Sequence, residues 1–131
     1  MKYTFTAVLS PKESGNGFYC RVPDLPGCIT TGKDLSDAVE QITDAASIWL
    51  VDAEDDERAI SAPSDQVHIS HEPDDVLTLI QIDTLAYRSL IDTRAVRKNV
   101  SLPAWLSNMA DKKGINCSQV LQEALKVRLG A

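Results

Sequence analysis

Three polar side chains at alternate positions, Arg97, Asn99 and Ser101, have the chemistry to read nucleic acid. An arginine fork pairs with two acceptors of guanine, and an asparagine amide pairs with the matching edge of adenine. The alternation matters because a strand turns every second side chain to one face. Val96, Val100 and Leu102 fall on the other face, with Lys98 the exception on that apolar side. Further on, Asn116, Cys117 and Ser118 open a helical pattern. The free N–H groups of a helix's first turn can hold a phosphate. Arg97, Lys98, Asn99, Ser101, Asn116, Cys117 and Ser118 are therefore the candidate nucleic-acid site.

A second set of residues offers carboxylate chemistry. Asp52, Glu54, Asp55, Asp56 and Glu57 crowd at or beyond the end of a helical pattern. They read either as a surface that imitates nucleic-acid phosphates for a basic partner or as a solvated helix end. Asp24, Asp34 and Asp83 could serve a metal-dependent nuclease only by converging on a divalent cation. Their local settings instead suggest a turn, a helix cap and a strand end. His68, His71 and Glu72 match no common metal-ligand spacing. Cys20, Cys28 and Cys117 are odd in number and scattered, so they are expected to be plain thiols, not a disulfide framework or a zinc site. No cofactor is implied, and the chain is not expected to be an enzyme.

The elements that must position these groups follow from periodicity. Residues 2–9 put Tyr3, Phe5, Ala7 and Leu9 on one strand face, and Phe18–Val22 forms the second arm of an antiparallel hairpin. A short third strand over Cys28–Thr31 stops at Gly32. Asp34 is placed to cap a helix whose apolar stripe is Leu35, Ala38, Val39, Ile42, Ala46, Trp49 and Leu50. Asp37, Glu40, Asp44 and Asp52 lie off that stripe. Val76–Ile82 is apolar on both faces, which predicts an interior strand.

The last third of the chain predicts a strand over residues 95–102 followed by two short helices. Pro103 suits the first position of a helix running to about Lys113, and Gly114 suits the turn after it. Asn116 and Gln119 resemble a reciprocal capping pair for a helix running to about Leu129. One strand and two short helices cannot bury their apolar faces alone. Pairing the strand with that of a second copy gives a two-stranded ribbon over four helices, which fits the DNA major groove. Trp105 belongs in the dimer core or beside the groove rather than stacked on a base.

Charge divides the chain the same way. Residues 1–83 hold 16 acidic and 5 basic side chains, a balance of −11, whereas residues 84–131 hold 3 and 8, a balance of +5. The acidic part should repel nucleic acid and the basic part attract it. No apolar run approaches the roughly 18 residues that span a bilayer, and the first residues lack a signal-peptide core. A cytoplasmic protein without membrane contact is expected. The expected organisation is α+β: a β-β-β-α-β unit over residues 1–83, a linker over residues 84–94 with room for a short helix, and a β-α-α unit over residues 95–131.

Residues Arg97–Pro103, then Gly114–Ser118 and the helix after them, resemble the ribbon-helix-helix repressors. Gly17–Cys28, Thr31-Gly32 and Asp34–Ala38 resemble the opening of HicB antitoxins. Together the two resemblances cover nearly the whole chain. They imply a partial RNase H-like N-terminal domain that docks on a HicA toxin, a small basic mRNA-cleaving enzyme. They also imply a C-terminal ribbon-helix-helix domain that forms a homodimer and represses its own operon at operator DNA. The acidic run Asp52, Glu54, Asp55, Asp56 and Glu57 is then the candidate toxin-binding surface. Assembly of dimers into tetramers through the N-terminal halves stays open. So do two other readings: a repressor whose N-terminal half senses a small molecule, and a metal-dependent RNase H-like nuclease.

Overall fold

A computed structural model describes residues 1–130. Its first part is an antiparallel sheet of strands β1 (Lys2–Pro11), β2 (Phe18–Arg21), β3 (Ile29–Gly32) and β4 (Val76–Asp83), in the order β3-β2-β1-β4. Helix α1 (Leu35–Asp55) packs on one face. Helix α2 (Thr84–Ile91) follows β4, and α3 (Ala104–Lys112) and α4 (Cys117–Leu129) complete the chain. The architecture is α+β, as the alternating and helical periodicities require. Among the described residues, no helix is long and apolar enough to cross a membrane.

The core lies between α1 and the sheet. Phe5, Ala7, Leu9, Ile80 and Ile82 from the sheet meet Ala38, Ile42, Ala46 and Leu50 from the helix. Four of the seven stripe positions are fully buried, Val39 and Trp49 pack partly against the core, and Leu35 is exposed. The Asp34 carboxylate accepts the Asp37 N–H at 2.8 Å, as a cap should. Gly32 marks where β3 meets the helix. A Cβ there would lie 2.3 Å from the Ala38 Cα, so no larger residue fits without moving α1.

Three expectations need correction. Val76–Ile82 is not an interior strand. It forms the sheet's edge, because β1 takes the central place between β2 and β4. Its apolar outer side chains stay exposed instead, Leu79 most of all. Within residues 84–94 the short helix left open by the sequence is present, over Thr84–Ile91. Asp83 caps this helix by accepting the Leu85 and Ala86 N–H groups. The strand expected over residues 95–102 has no regular secondary structure in the single chain. A strand exists by pairing, and one chain supplies no second strand there. Finally, the Gln119 side chain does not reach back to Asn116. It points forward to Glu123, at 3.4 Å, while Asn116 caps α4 alone.

Residues 58–75 form a strap around the sheet. The Arg58 guanidinium sits over the Trp49 ring, and the Trp49 indole N–H donates to the Pro26 carbonyl at 2.9 Å. Asp24 accepts the backbone N–H and the hydroxyl of Ser64, at 2.8 and 2.6 Å. Arg21 then donates to the Ser70 carbonyl at 2.8 Å, next to buried Ile69.

Candidate partner and nucleic-acid interfaces

The C-terminal segment is ordered as helices yet has no interior. No residue from Asp92 to Gly130 is buried. Val100, Leu102, Leu106, Ile115, Val120 and Leu121 instead line an open apolar groove of about 420 Å³. Lys98, Cys117 and Ser118 also border it. Arg97, Asn99 and Ser101 are exposed and do not line it. The even positions 98, 100 and 102 therefore turn to the groove and the odd positions turn away. This is the alternation of a strand held without a partner strand.

At the start of α4 the Asn116 carboxamide oxygen accepts the Gln119 N–H at 3.1 Å. Gly114, with φ +66, makes the turn that sets α4 against α3. Lys112 closes α3, and Lys126 and Arg128 lie in the last turn of α4. The cations thus sit at helix C-termini, where the backbone dipole favours them.

The acidic run divides into two kinds of residue. Glu54 points inward. Its carboxylate accepts the Tyr3 hydroxyl at 2.8 Å, the Thr84 hydroxyl at 2.9 Å and the Arg88 guanidinium at 3.2 Å. Asp55 takes a second Arg88 contact at 2.8 Å. Asp52, Asp56 and Glu57 are exposed, and Asp56 lies 3.6 Å from Arg58. Glu54 is thus a structural group joining β1, α1 and α2, not a free docking charge. Burial works against its ionisation, but the bonds from Tyr3, Thr84 and Arg88 prevail and hold its pKa below the ordinary value. Desolvation, with the bond to Glu54, pushes the Tyr3 hydroxyl up to about 12. Arg88 is raised, chiefly by its bond to Asp55.

The last turn of α1 contains no basic side chain. Carboxylates there oppose the helix dipole, and Arg88 of α2 is the cation that offsets them. Glu57 ends the helix in a left-handed conformation, φ 54, while the Arg58 N–H reaches back to the Ala53 carbonyl at 2.8 Å.

The three carboxylates weighed for a nuclease serve separate local roles. Asp24 holds Ser64, Asp34 caps α1 and Asp83 caps α2. Among the described residues, no group of three or more His, Cys, Asp or Glu could hold a metal ion. His71 bonds to the Glu72 carbonyl, and His68 lies 3.8 Å from Asp65. Cys20 and Cys28 are buried free thiols and Cys117 is an exposed one.

Sequence reasoning missed the Tyr3-Glu54-Thr84-Arg88 network. Its bonded pairs are separated by 30, 34 and 51 positions, and no local periodicity links them. The one available signal was Arg88, the first Lys or Arg after Arg58.

Comparison with known proteins bears on the fold and the family. The chain is 36% identical over 61 residues to a UPF0150 protein of Helicobacter pylori (strain J99), covering 47% of this chain and 82% of that one. The fold is similar to that in a toxin-antitoxin complex from Streptococcus pneumoniae, with a TM-score of 0.60 at 20% identity over 98% of this chain and 99% of the other. It is also similar to the Burkholderia pseudomallei antitoxin HicB, with a TM-score of 0.54 at 21% identity over 94% and 96% of the two chains. Residues 5–124 match the family described as the HicB-like antitoxin of bacterial toxin-antitoxin systems. That match takes in the sheet, α1, the strap, α2, α3 and most of α4, and the chain belongs to this family of antitoxins.

Proposed function

We propose that the chain neutralises a HicA-like toxin by direct binding and represses its own operon as a ribbon-helix-helix homodimer on operator DNA. One observation carries the second half of this reading. Residues 98, 100 and 102 turn to an apolar groove while Arg97, Asn99 and Ser101 turn away, in a segment with no buried residue. A second copy supplies the missing strand partner and closes both grooves. The ribbon then presents Arg97, Asn99 and Ser101 from each chain to base edges in the major groove. Lys98 and the start of α4, with Asn116, Cys117 and Ser118, lie where backbone phosphates would be held.

Toxin binding belongs to the acidic half. Its sheet and single helix are the extent expected of a partial RNase H-like fold, with its carboxylates engaged in structure. The −11 balance of residues 1–83 attracts a basic protein. Asp52 and Glu57 are exposed charges at the end of α1, and Asp56 beside them pairs with Arg58. Neutralisation on this reading is steric and electrostatic: the antitoxin covers the toxin's RNA-binding face and performs no chemistry.

The test separates the two functions. Arg97→Ala and Asn99→Ala should each weaken operator binding by roughly 1–3 kcal/mol, measured by titration of labelled operator DNA at fixed salt. Both variants should still capture the toxin. Unchanged sequence-specific binding in both would refute the ribbon assignment.

A further inference from the structure

Strand β1 is served unevenly by its two neighbours. It pairs with β4 over residues 2–9 but with β2 only over residues 8–11. Along a central strand of an antiparallel sheet, successive residues bond to one side and then the other. The Thr84 N–H donates to the Met1 carbonyl, and the Lys12 N–H donates to the Gly17 carbonyl. Odd positions of β1 therefore bond towards β4, and even positions bond towards β2. Thr4 and Thr6 are even, and β2 has ended before it reaches them. Pro23 falls opposite Thr6 and has no N–H to give. The chain there turns away, through bonds among Val22, Leu25 and Cys28. Thr6 is only 3% exposed, and a buried backbone group left without a partner is costly.

The strap runs past this gap. It leaves α1 beside Tyr3, which Glu54 holds, and reaches Asp24, just beyond β2, where Ser64 is bonded. It thus travels in the direction of β1. A cleft of about 410 Å³ separates residues 1–5 from residues 60–63. Among the described residues, no backbone bond crosses it.

Residues 60–63 carry the pattern of the strand that would fill the cleft. Phe5 belongs to the core under α1, and Tyr3 and Ile60 pack against that core. A parallel strand with Ser61 beside Thr4 puts Ile60 and Ala62 on the α1 face, with Tyr3 and Phe5. Ser61 then lies on the outer face with Thr4. In that register the Thr4 N–H meets the Ile60 carbonyl, the Ala62 N–H meets the Thr4 carbonyl and the Thr6 N–H meets the Ala62 carbonyl. Pro63 turns its nitrogen to the outer edge, where a missing N–H costs no bond and discourages further pairing. The next donor in the series, the Ser64 N–H, is taken by the Asp24 carboxylate at 2.8 Å. Asp24 is therefore the catch that holds the strap off the sheet.

We infer that residues 60–62 close on β1 as a fifth strand, parallel to it, in the place that β2 leaves empty. Closure satisfies Thr4 and Thr6 and shuts the cleft. It also draws in the segment that follows the acidic end of α1, so the surface beside that end has two states.

The test is backbone amide exchange of the full-length chain, followed residue by residue by nuclear magnetic resonance. Ala62→Pro removes the central donor of the closed form and leaves the open form intact, because the Ala62 N–H has no backbone partner there. The Thr4 and Thr6 amides should exchange at least about tenfold faster in this variant than in the wild type. Tyr3 and Phe5, which bond to β4, should keep their protection. Equal Thr4 and Thr6 rates in the two proteins overturn the inference, since whatever protects that edge is then not the strap. If Tyr3 and Phe5 also lose protection, the substitution has disturbed the sheet, and the wild type decides alone. A nuclear Overhauser contact between the Ala62 amide proton and Thr4 then supports closure, and its absence overturns it.

Discussion

Replacing Glu54 by glutamine keeps the shape of the side chain and removes its charge. In the wild type the carboxylate accepts three bonds, from Tyr3 at 2.8 Å, Thr84 at 2.9 Å and Arg88 at 3.2 Å. A bond to a charged acceptor contributes about 1.5–3 kcal/mol, against about 0.5–1.5 for a neutral one. The glutamine oxygen can still accept from Tyr3 and Thr84, but its amide then faces the Arg88 guanidinium, donor against donor. The Arg88 side chain is 35% exposed, so solvent screens much of that loss. The expected cost is about 2 kcal/mol, mostly from weakening the two hydroxyl bonds. Urea unfolding at neutral pH and fixed protein concentration measures it.

The pH dependence gives an independent check. The folded pKa of Glu54 lies below the ordinary 4.5, so its contribution is present above that value and lost as pH falls through the folded one. The gap between wild type and Glu54→Gln should close in acid. Tyr3 works in the opposite direction. Its pKa is raised to about 12, so its contribution is intact below the ordinary 10.0 and lost as pH climbs through 12. A difference under about 0.5 kcal/mol at neutral pH, the ordinary scatter of a surface substitution, would refute the structural assignment of Glu54. A gap that persists in acid would refute it as well. On the proposed docking role of the exposed carboxylates Asp52 and Glu57, toxin capture by the folded variant should remain.

Two further substitutions test the local backbone. Glu57→Gly should stabilise the chain by about 0.5–1 kcal/mol, since a left-handed residue costs an L side chain about 1–2 kcal/mol and glycine's looser unfolded state returns part of that. A drop in thermal midpoint would contradict it. Gly32→Ala should destabilise by about 1–3 kcal/mol, because the new methyl group meets the backbone of α1. A neutral result in urea unfolding would mean that β3 and α1 are not held that closely.

The hairpin, α1 and its Asp34 cap were legible because each depends on residues within a few positions of one another. The same holds for α3, α4 and the Asn116 cap. Sheet order was not legible. Val76–Ile82 is apolar on both faces, and that composition fits an interior strand as well as an edge awaiting a partner. Only the register with β1 decides between them. Nor did local sequence separate Glu54 from Asp55 and Asp56. All three are carboxylates at a helix end, and their difference comes from Tyr3 and Thr84, distant in sequence. For the nucleic-acid candidates, the alternation of 97–102 was readable, but no strand forms there in the single chain, which offers that segment no second strand to pair with.

The unburied C-terminal segment makes concentration a structural variable. If a second copy completes that segment, as proposed, its order obeys mass action, and each tenfold dilution removes about 1.4 kcal/mol from it. Growth and division dilute a protein whose synthesis has paused. On the dimer reading, such dilution opens residues 92–130 first, while the sheet and α1 keep their own core. Exposed backbone without tertiary contacts is where proteases cut. Loss of repression would then precede loss of the toxin-facing half, and the operon would be read again while neutralising domains remain.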